Sequence, residues 1–454
     1  MNPFSMFFKP STPALEKKVE LAYTAASTGR RVQSWLSKST DANTELSVAI
    51  GKVRDRARDL VRNNPYARHT LDILSANLIG TGILPYSQNT DYLGLLSKYL
   101  DSKLCDFNEE LNFYGLQKLA VESLIESGEI IIVKHYDKTK TFPLQFKILE
   151  SDYIDTDKND KTKINGIEYQ NGKLVGYWLF DSHPGSGNSS KSSFVKAEDV
   201  IHLFRKDRPQ QNRGISWLSN IAVYLKLLND YQDAVLEKIK ISNLFTAFVL
   251  DQNAEAPYTS SDLSLEPGSI SIIPPGKTIE FSDPPDAPDN NNYILQLLRM
   301  ISSGVNIPYE LFTNDYSQSN YSSSRMTMVH FLKYIESLQY NLIIPVLLDR
   351  IAQWFFESYP FINEKKPSLK EQPIISWIPP RKTLLDPSKE IPPIIDQIRA
   401  GLLPLSYAIQ ENGYFAEEIL KAYQNDNEII DKYKLVFESD PRKDAERKIN
   451  STTN

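Results

Sequence analysis

The sequence predicts a helix-dominated α+β protein, and three observations carry that prediction. Two long segments, Ser216 to Leu250 and Ser322 to Tyr359, read as helix. Glu129 to Phe204 reads as strands and hairpins, and the two kinds of pattern occupy separate stretches instead of alternating. With 454 residues, 41% hydrophobic and 24% charged, the chain is long enough for a large core and for two or more lobes.

In chain order, Met1 to about Leu46 is polar and mixed, an arm with one short helix around Trp35. Leu46 to Asn77 is helical, broken at Asn63-Asn64-Pro65 and stopped by Gly80 and Gly82. Asp91 to Ser127 gives two more helices, split near Asn112 to Gly115. Glu129 to Tyr136 is rich in β-branched residues and can pair with Leu144 to Leu149. Asn171-Gly172 between Gly166–Gln170 and Lys173–Phe180 suits a type I′ hairpin turn. His183 to Ser193 reads as a loop and Val200 to Phe204 as a last strand. From Ser216, the residues Leu218, Ile221, Leu225, Leu228, Val235 and Ile239 form an apolar stripe on a helix roughly 50 Å long. Asp251 to Asn292 holds seven prolines and short strands at Ser269–Ile273 and Thr278–Phe281. Helix resumes at Tyr293–Ser303. The second long helix carries Pro345 as a kink, and short helices follow at Ile394–Gly401 and Ser406–Asn412.

Composition excludes several functions. The net charge of −6 supplies no global basic field to draw the chain onto nucleic acid. Cys105 is the only cysteine, so no intrachain disulfide or cysteine-based zinc site can form, and the five histidines show no metal-ligand spacing. No metal or other cofactor is expected. Met1 to Pro13 is too short an apolar run for a signal peptide, and no stretch approaches a membrane span, so the expectation is synthesis in the cytosol and no membrane partner.

The motif search is mostly negative. Ser271-Ile-Ile-Pro-Pro-Gly-Lys-Thr278 ends like a phosphate loop, but serine replaces the leading glycine and two prolines remove N–H donors; it reads as a hairpin turn. Lys52, Arg54, Arg56, Arg58 and Arg62 interleave with Asp55 and Asp59, which suits a solvated or subunit-facing helix better than a DNA patch. Asp152, Asp155, Asp157 and Asp160 lack the glycine and terminal glutamate of a calcium loop and read as a surface turn. No catalytic constellation is found, although a carboxylate-based nuclease needs no sequence signature. Thr313 to Ser324 is a polar, aromatic-tipped run between helices, in which Asn320 or Ser322 can cap the next helix.

Several collinear blocks resemble the lambda-type portal protein family of tailed phages. They are Arg62-Asn-Asn-Pro-Tyr-Ala67 with Leu78-Ile-Gly-Thr-Gly-Ile83, Ala197 to His202 with Arg208 to Trp217, Asp315 to Arg325, Trp377 to Arg381 with Asp386 to Glu390, and Gly401 to Ser406 with Ile409 to Gly413. The resemblance covers roughly Arg31 to Leu435. It implies a portal fold: arm 1–45, α/β wing 46–215, stem helices 216–250 and 293–312 around a clip 251–292, tunnel loop 313–322, long wing helix and connection 323–379, and crown with tail 380–454. Pro404 within the crown block departs from the family pattern.

The implied function is a homo-oligomeric ring, usually of twelve, at one capsid vertex of the virion. Double-stranded DNA passes through it, and it docks the large terminase, the capsid or scaffold protein and a head–tail adaptor; assembly is in the host cytoplasm. The resemblance implies that Asn314, Asp315, Tyr316, Ser317, Gln318, Ser319, Asn320 and Tyr321 face DNA in the tunnel loop. Pro274, Pro275 and Lys277 would dock the motor or adaptor at the clip. The stripe on the first stem helix would be buried against the next subunit, with Asp230, Asp233 and Glu237 lining an acidic bore. Two other classes stay open at this point: a metal-dependent nuclease and a non-viral ring-forming scaffold.

Overall fold

The computed structural model of the chain describes residues 37, 39–187, 191–243, 247–251, 277–281, 290–366, 368–380, 386–412, 414, 416–435 and 437. Two helices come first, α1 (Ala42–Asn63) and α2 (Pro65–Leu78). Asn64 makes the corner between them: its N–H bonds Leu60 O at 2.7 Å, and its side chain accepts the Ala67 N–H at 2.9 Å as the cap of α2. Pro65 occupies the first turn, where a missing N–H costs nothing. After β1 (Leu84–Tyr86) come α3 (Thr90–Asp101) and α4 (Phe113–Ser127), capped by Asn89 and Asn112.

Seven strands follow: β2 (Glu129–Tyr136), β3 (Leu144–Glu150), β4 (Lys163–Ile164), β5 (Ile167–Gln170), β6 (Lys173–Phe180), β7 (Ser192–Lys196) and β8 (Val200–Phe204). They form two antiparallel sheets, ordered β3-β2-β8 and β4-β5-β6-β7. Asn171 and Gly172 turn β5 into β6 with φ of 52° and 74°, the two positive values a type I′ turn requires. Ile130 and Ile132 of β2 enter the main core with the helices, whereas Ile131 packs between the sheets with Leu149, Ile167 and Tyr177. Burial on both faces explains why this strand is continuously apolar.

The second half is built around α5 (Ala222–Asn243), a hairpin of β9 (Ala247–Asp251) and β10 (Lys277–Phe281), and α6 (Asn290–Gly304). Then come α7 (Tyr309–Thr313) and one long helical rod: α8 (Tyr321–Leu338), a π-helical segment Gln339–Leu348, and α9 (Asp349–Ser358). Pro345 lies inside the π segment, whose wider turn accommodates the lost N–H and the proline ring without ending the helix. There Gln339 donates to Leu78 O at 2.8 Å, satisfying a carbonyl at the end of α2. β11 (Ser376–Ile378) pairs with β1, and α10 (Pro387–Arg399), α11 (Leu405–Glu411) and α12 (Ala416–Tyr433) complete the described chain.

Some readings of the sequence change. The first long helix spans Ala222–Asn243, about 33 Å long and not 50 Å, because residues 217–221 form turns and Ala247–Asp251 is strand. A short apolar run at a helix end has no period of its own to separate the two outcomes. The end of the His183–Ser193 loop belongs to β7, which Phe194 and Val195 extend along β6. The helix around Trp35, the Ser269–Ile273 strand, Pro274 and Pro275 lie outside the described residues.

Candidate functional site

The site begins where the chain leaves the sheets for α5. Glu129, at the head of β2, is fully buried, as is Arg213. Arg213 Nε reaches both Glu129 carboxylate oxygens at 3.0 Å, and its Nη1 donates to Asn165 O at 3.1 Å. Gly214 N–H donates to the same carboxylate at 2.8 Å, and His202 Nε2 lies 3.0 Å from it. Burial opposes ionisation of Glu129, but Arg213 and His202 outweigh it and hold the carboxyl well below its usual range. Burial pushes the His202 imidazole below its ordinary 6.5, outweighing its bond to Glu129.

Both shifts are depressions, so both stabilise at neutral pH and the contribution is lost on acidification. The His202 share falls away as pH drops below 6.5, where the unfolded chain takes up a proton that the folded chain resists; the Glu129 share follows below 4.5. Thermal unfolding between about pH 7 and pH 5 is therefore expected to show a falling midpoint in the native chain and a flatter profile in His202→Gln. Parallel profiles would refute the assignment.

Two glycines make this junction possible. A Cβ on Gly214 would lie 2.1 Å from Gly128 O, and one on Gly128, at φ +90°, would lie 2.1 Å from Ile215 C. Trp217 N–H then bonds Ile125 O at 3.1 Å, Ser216 Oγ accepts the Leu218 N–H at 3.1 Å, and α5 starts.

α5 and α6 stand side by side. Leu218, Ile221, Leu225 and Leu228 are buried with Leu297, Leu298 and Ile301, and the rings of Tyr231 and Tyr293 lie 5.9 Å apart. The lower half of the predicted stripe is thus covered by this chain itself, not held for a neighbour. The upper part of the stripe is uncovered at Ile239, with Leu236 beside it, and another side of α5 is bare at Val223, 60% exposed, and Leu227, 53% exposed, while on α6 Tyr293 is 59% exposed and Met300 is exposed too. Asp230, Asp233 and Glu237 are exposed on a third face. Lys226 pairs with Asp230, and Lys240 Nζ lies 3.3 Å from Glu237, so this face alternates in sign along its length.

The polar run after α7 is an exposed loop whose base is tied down. Asn314 takes the left-handed conformation at φ 56°. Asp315 accepts Ser317 N–H at 3.0 Å and Tyr309 OH at 3.3 Å. Tyr316, Ser317 and Gln318 are exposed, and Ser319 donates from Oγ to Tyr316 O at 3.1 Å. Asn320 caps α8: its side chain accepts Ser323 N–H at 3.0 Å, and Ser323 Oγ accepts the Asn320 N–H at 3.2 Å. Tyr321 is the first residue of that helix. Lys277 opens β10, and the strand after it removes the helix N-terminus that a phosphate loop requires.

Among the described residues, one trio of potential metal ligands comes together, Glu150, Asp152 and His183. Two guanidinium groups already serve those acids: Arg54 lies 3.0 Å from Asp152, and Arg58 lies 2.7 Å from Asp152 and 3.2 Å from Glu150. Burial raises the cost of charge on Asp152, yet these arginines hold its carboxyl below the usual range. Arg54 and Arg58 therefore brace α1 against the sheet, and Asp155 and Asp160 accept turn hydrogen bonds from Asp157 N–H and Thr162 N–H. Among the described residues no helix is long and apolar enough to cross a membrane.

The family model for "Phage portal protein, lambda family" matches residues 28–339. The chain belongs to the lambda family of phage portal proteins. Portal protein B of Escherichia phage lambda is 21% identical over 462 residues, with 86% of each chain covered. The probable portal protein of Halomonas phage phiHAP-1 is 24% identical, covering 88% of this chain and 85% of its own. A chain from the virion of a native gene transfer agent particle shares the fold at a TM-score of 0.50 and 14% identity, covering 80% of this chain and 91% of that one. The matched family segment contains the Glu129–Arg213 junction, α5, α6 and the loop before α8, and ends at the first residue of the π segment.

The sequence brought out the loop and the charged face of α5. It missed the junction, whose partners are 84 positions apart. One signal was present: Glu129 is a lone acid heading the apolar Ile-Ile-Ile-Val, and Arg213-Gly214 precedes Ile-Ser-Trp.

Proposed function

We propose that copies of this chain close into a ring at one vertex of the capsid and that double-stranded DNA is packaged and ejected through its centre. Family membership supplies the portal identity. The observation that carries the ring is the α5–α6 pair, whose base is sunk in the core while Val223, Leu227 and Tyr293 remain bare. A surface that matches not itself but another surface of the same chain joins copies head to tail, and a rotation that closes makes a ring of them. In this reading the Asn314–Tyr321 loop and the Asp230, Asp233 and Glu237 face line the channel. The ring docks the large terminase, the capsid or scaffold protein and a head–tail adaptor, the clip segment around Pro274, Pro275 and Lys277 serving the motor or adaptor. Assembly takes place in the host cytoplasm, and the chain acts as a conduit with no chemistry of its own.

A bore that lets a duplex slide must not neutralise phosphates, because release of counterions dominates DNA affinity. Replacing all three acids, as Asp230→Lys, Asp233→Lys and Glu237→Lys, adds three cations per subunit beside Lys226 and Lys240. Packaging in a purified motor–procapsid assay is expected to slow at low salt and to recover as salt is raised. Native kinetics at low salt in rings that assemble normally would remove these residues from the channel.

A further inference from the structure

The loop between α7 and α8 ends in the Asn320–Ser323 capping box, which ties it to the start of α8. Its exit is α8, whose first turns are exposed at Ser322, Ser323, Arg325 and Met326. Its base, by contrast, is clasped by α2. The Tyr66 ring stacks on Phe312 at 5.4 Å, and His69 Nε2 lies 3.1 Å from Leu311 O and 3.3 Å from the Asn314 carboxamide. One nitrogen cannot both donate to a carbonyl and accept from an amide. A protonated Nε2 donates to Leu311 O and a bare Nε2 accepts from the Asn314 amide, so in either tautomer the ring ties the end of α7 to α2. Thr313 Oγ1 donates to Tyr309 O at 2.8 Å, so that hydroxyl is spent within α7, while Phe312 is fully buried in the core that α2 shares.

We infer that His69 is a positioning residue for the Asn314–Asn320 loop, a latch by which α2 sets where the loop stands. α2 is held at its other end by Gln339 of the π segment, so His69 references the loop to the body of the protein through α2, in addition to the cap that joins it to α8. The position of the latch is independent of what the loop touches; its importance for DNA passage rests on the channel reading above.

The chain offers a clean test. Cys105 is fully buried, and burial pushes its thiol up to about 12, so a nitroxide reagent labels an introduced cysteine selectively. Gln318→Cys places the label at the exposed tip of the loop. His69→Ala in that background is expected to raise the mobile fraction of the label about fivefold, the ratio set by one ordinary hydrogen bond. His69→Gln, whose amide nitrogen reaches the position of Nε2, restores the native spectrum. His69→Asn, whose amide stops at the position of Nδ1, does not. A spectrum unchanged in His69→Ala, or a Gln variant as mobile as the Ala variant, overturns the latch. If His69→Ala folds poorly, the Gln–Asn pair alone decides. Packaging assays on the same variants then test the channel reading separately: a freed loop with native packaging leaves the latch standing and removes the loop from DNA passage.

Discussion

Replacing Arg213 with alanine is expected to lower the stability of the folded chain by about 3–5 kcal/mol, the usual penalty for removing one partner of a buried ion pair. Glu129 would keep the Gly214 N–H at 2.8 Å and His202 at 3.0 Å, but no cation would remain in direct contact with it. Arg213 also gives up its bond to Asn165 O at 3.1 Å. Lysine would not substitute, since only the guanidinium fork meets both carboxylate oxygens and the Asn165 carbonyl together. The penalty also depends on pH. With the cation gone the Glu129 carboxyl is no longer held below its usual range, so the deficit is largest near neutrality and shrinks as the carboxyl protonates. Denaturant unfolding at neutral and acid pH reads both effects, and a loss below about 1 kcal/mol at pH 7 would mean that the pair contributes no more than an exposed one.

The consequence reaches α5 and α6 through geometry. Arg213 and Gly214 fix the chain against the end of α4 and the start of β2, within three residues of the turns that open α5. Gly128 and Gly214 permit backbone contact that any side chain would block. A buried charged pair is weak evidence for stability by itself, but it penalises every alternative docking of this segment. The direction in which α5 leaves the sheets is set here, before its own apolar contacts with α6 begin.

How much of this was legible depends on the range of the interactions. The break at Asn63-Asn64-Pro65, Asn320 as a cap, Asn171-Gly172 as a hairpin turn and the helix through Pro345 all express contacts within a few residues, and each is visible in the local order of side chains. The pairing of β1 with β11 and the Glu129–Arg213–His202 cluster join distant positions, for which one sequence carries no period. The stripe on α5 shows the limit of periodicity. Leu218, Ile221, Leu225 and Leu228 do form a face, but spacing names a buried face without naming the surface that covers it. That cover is this chain's own core. Spacing did not single out Val223 and Leu227, which the structure leaves exposed on another side of α5.

Placing a charge on that surface is expected to stop the ring from forming. Leu227 is 53% exposed in the single chain and one helical turn from Val223, with Tyr293 59% exposed on α6. If a neighbour covers Leu227, its burial contributes on the order of 2 kcal/mol per interface, and an arginine there loses that gain and adds the cost of desolvating a cation. In a closed ring every subunit carries the same defect, so the loss recurs at each interface and acts on assembly cooperatively. Leu227→Arg with Tyr293→Ser should therefore remain a monomer by light scattering at concentrations where the native chain forms annuli in negative stain. The folded subunit should survive, since Leu227 is outside the buried core and Tyr293 gives up only its ring contact with Tyr231, and circular dichroism would register the native fold. Rings of native size from this double variant would place the subunit contact elsewhere, and a native chain that stays monomeric at every concentration would end the ring itself.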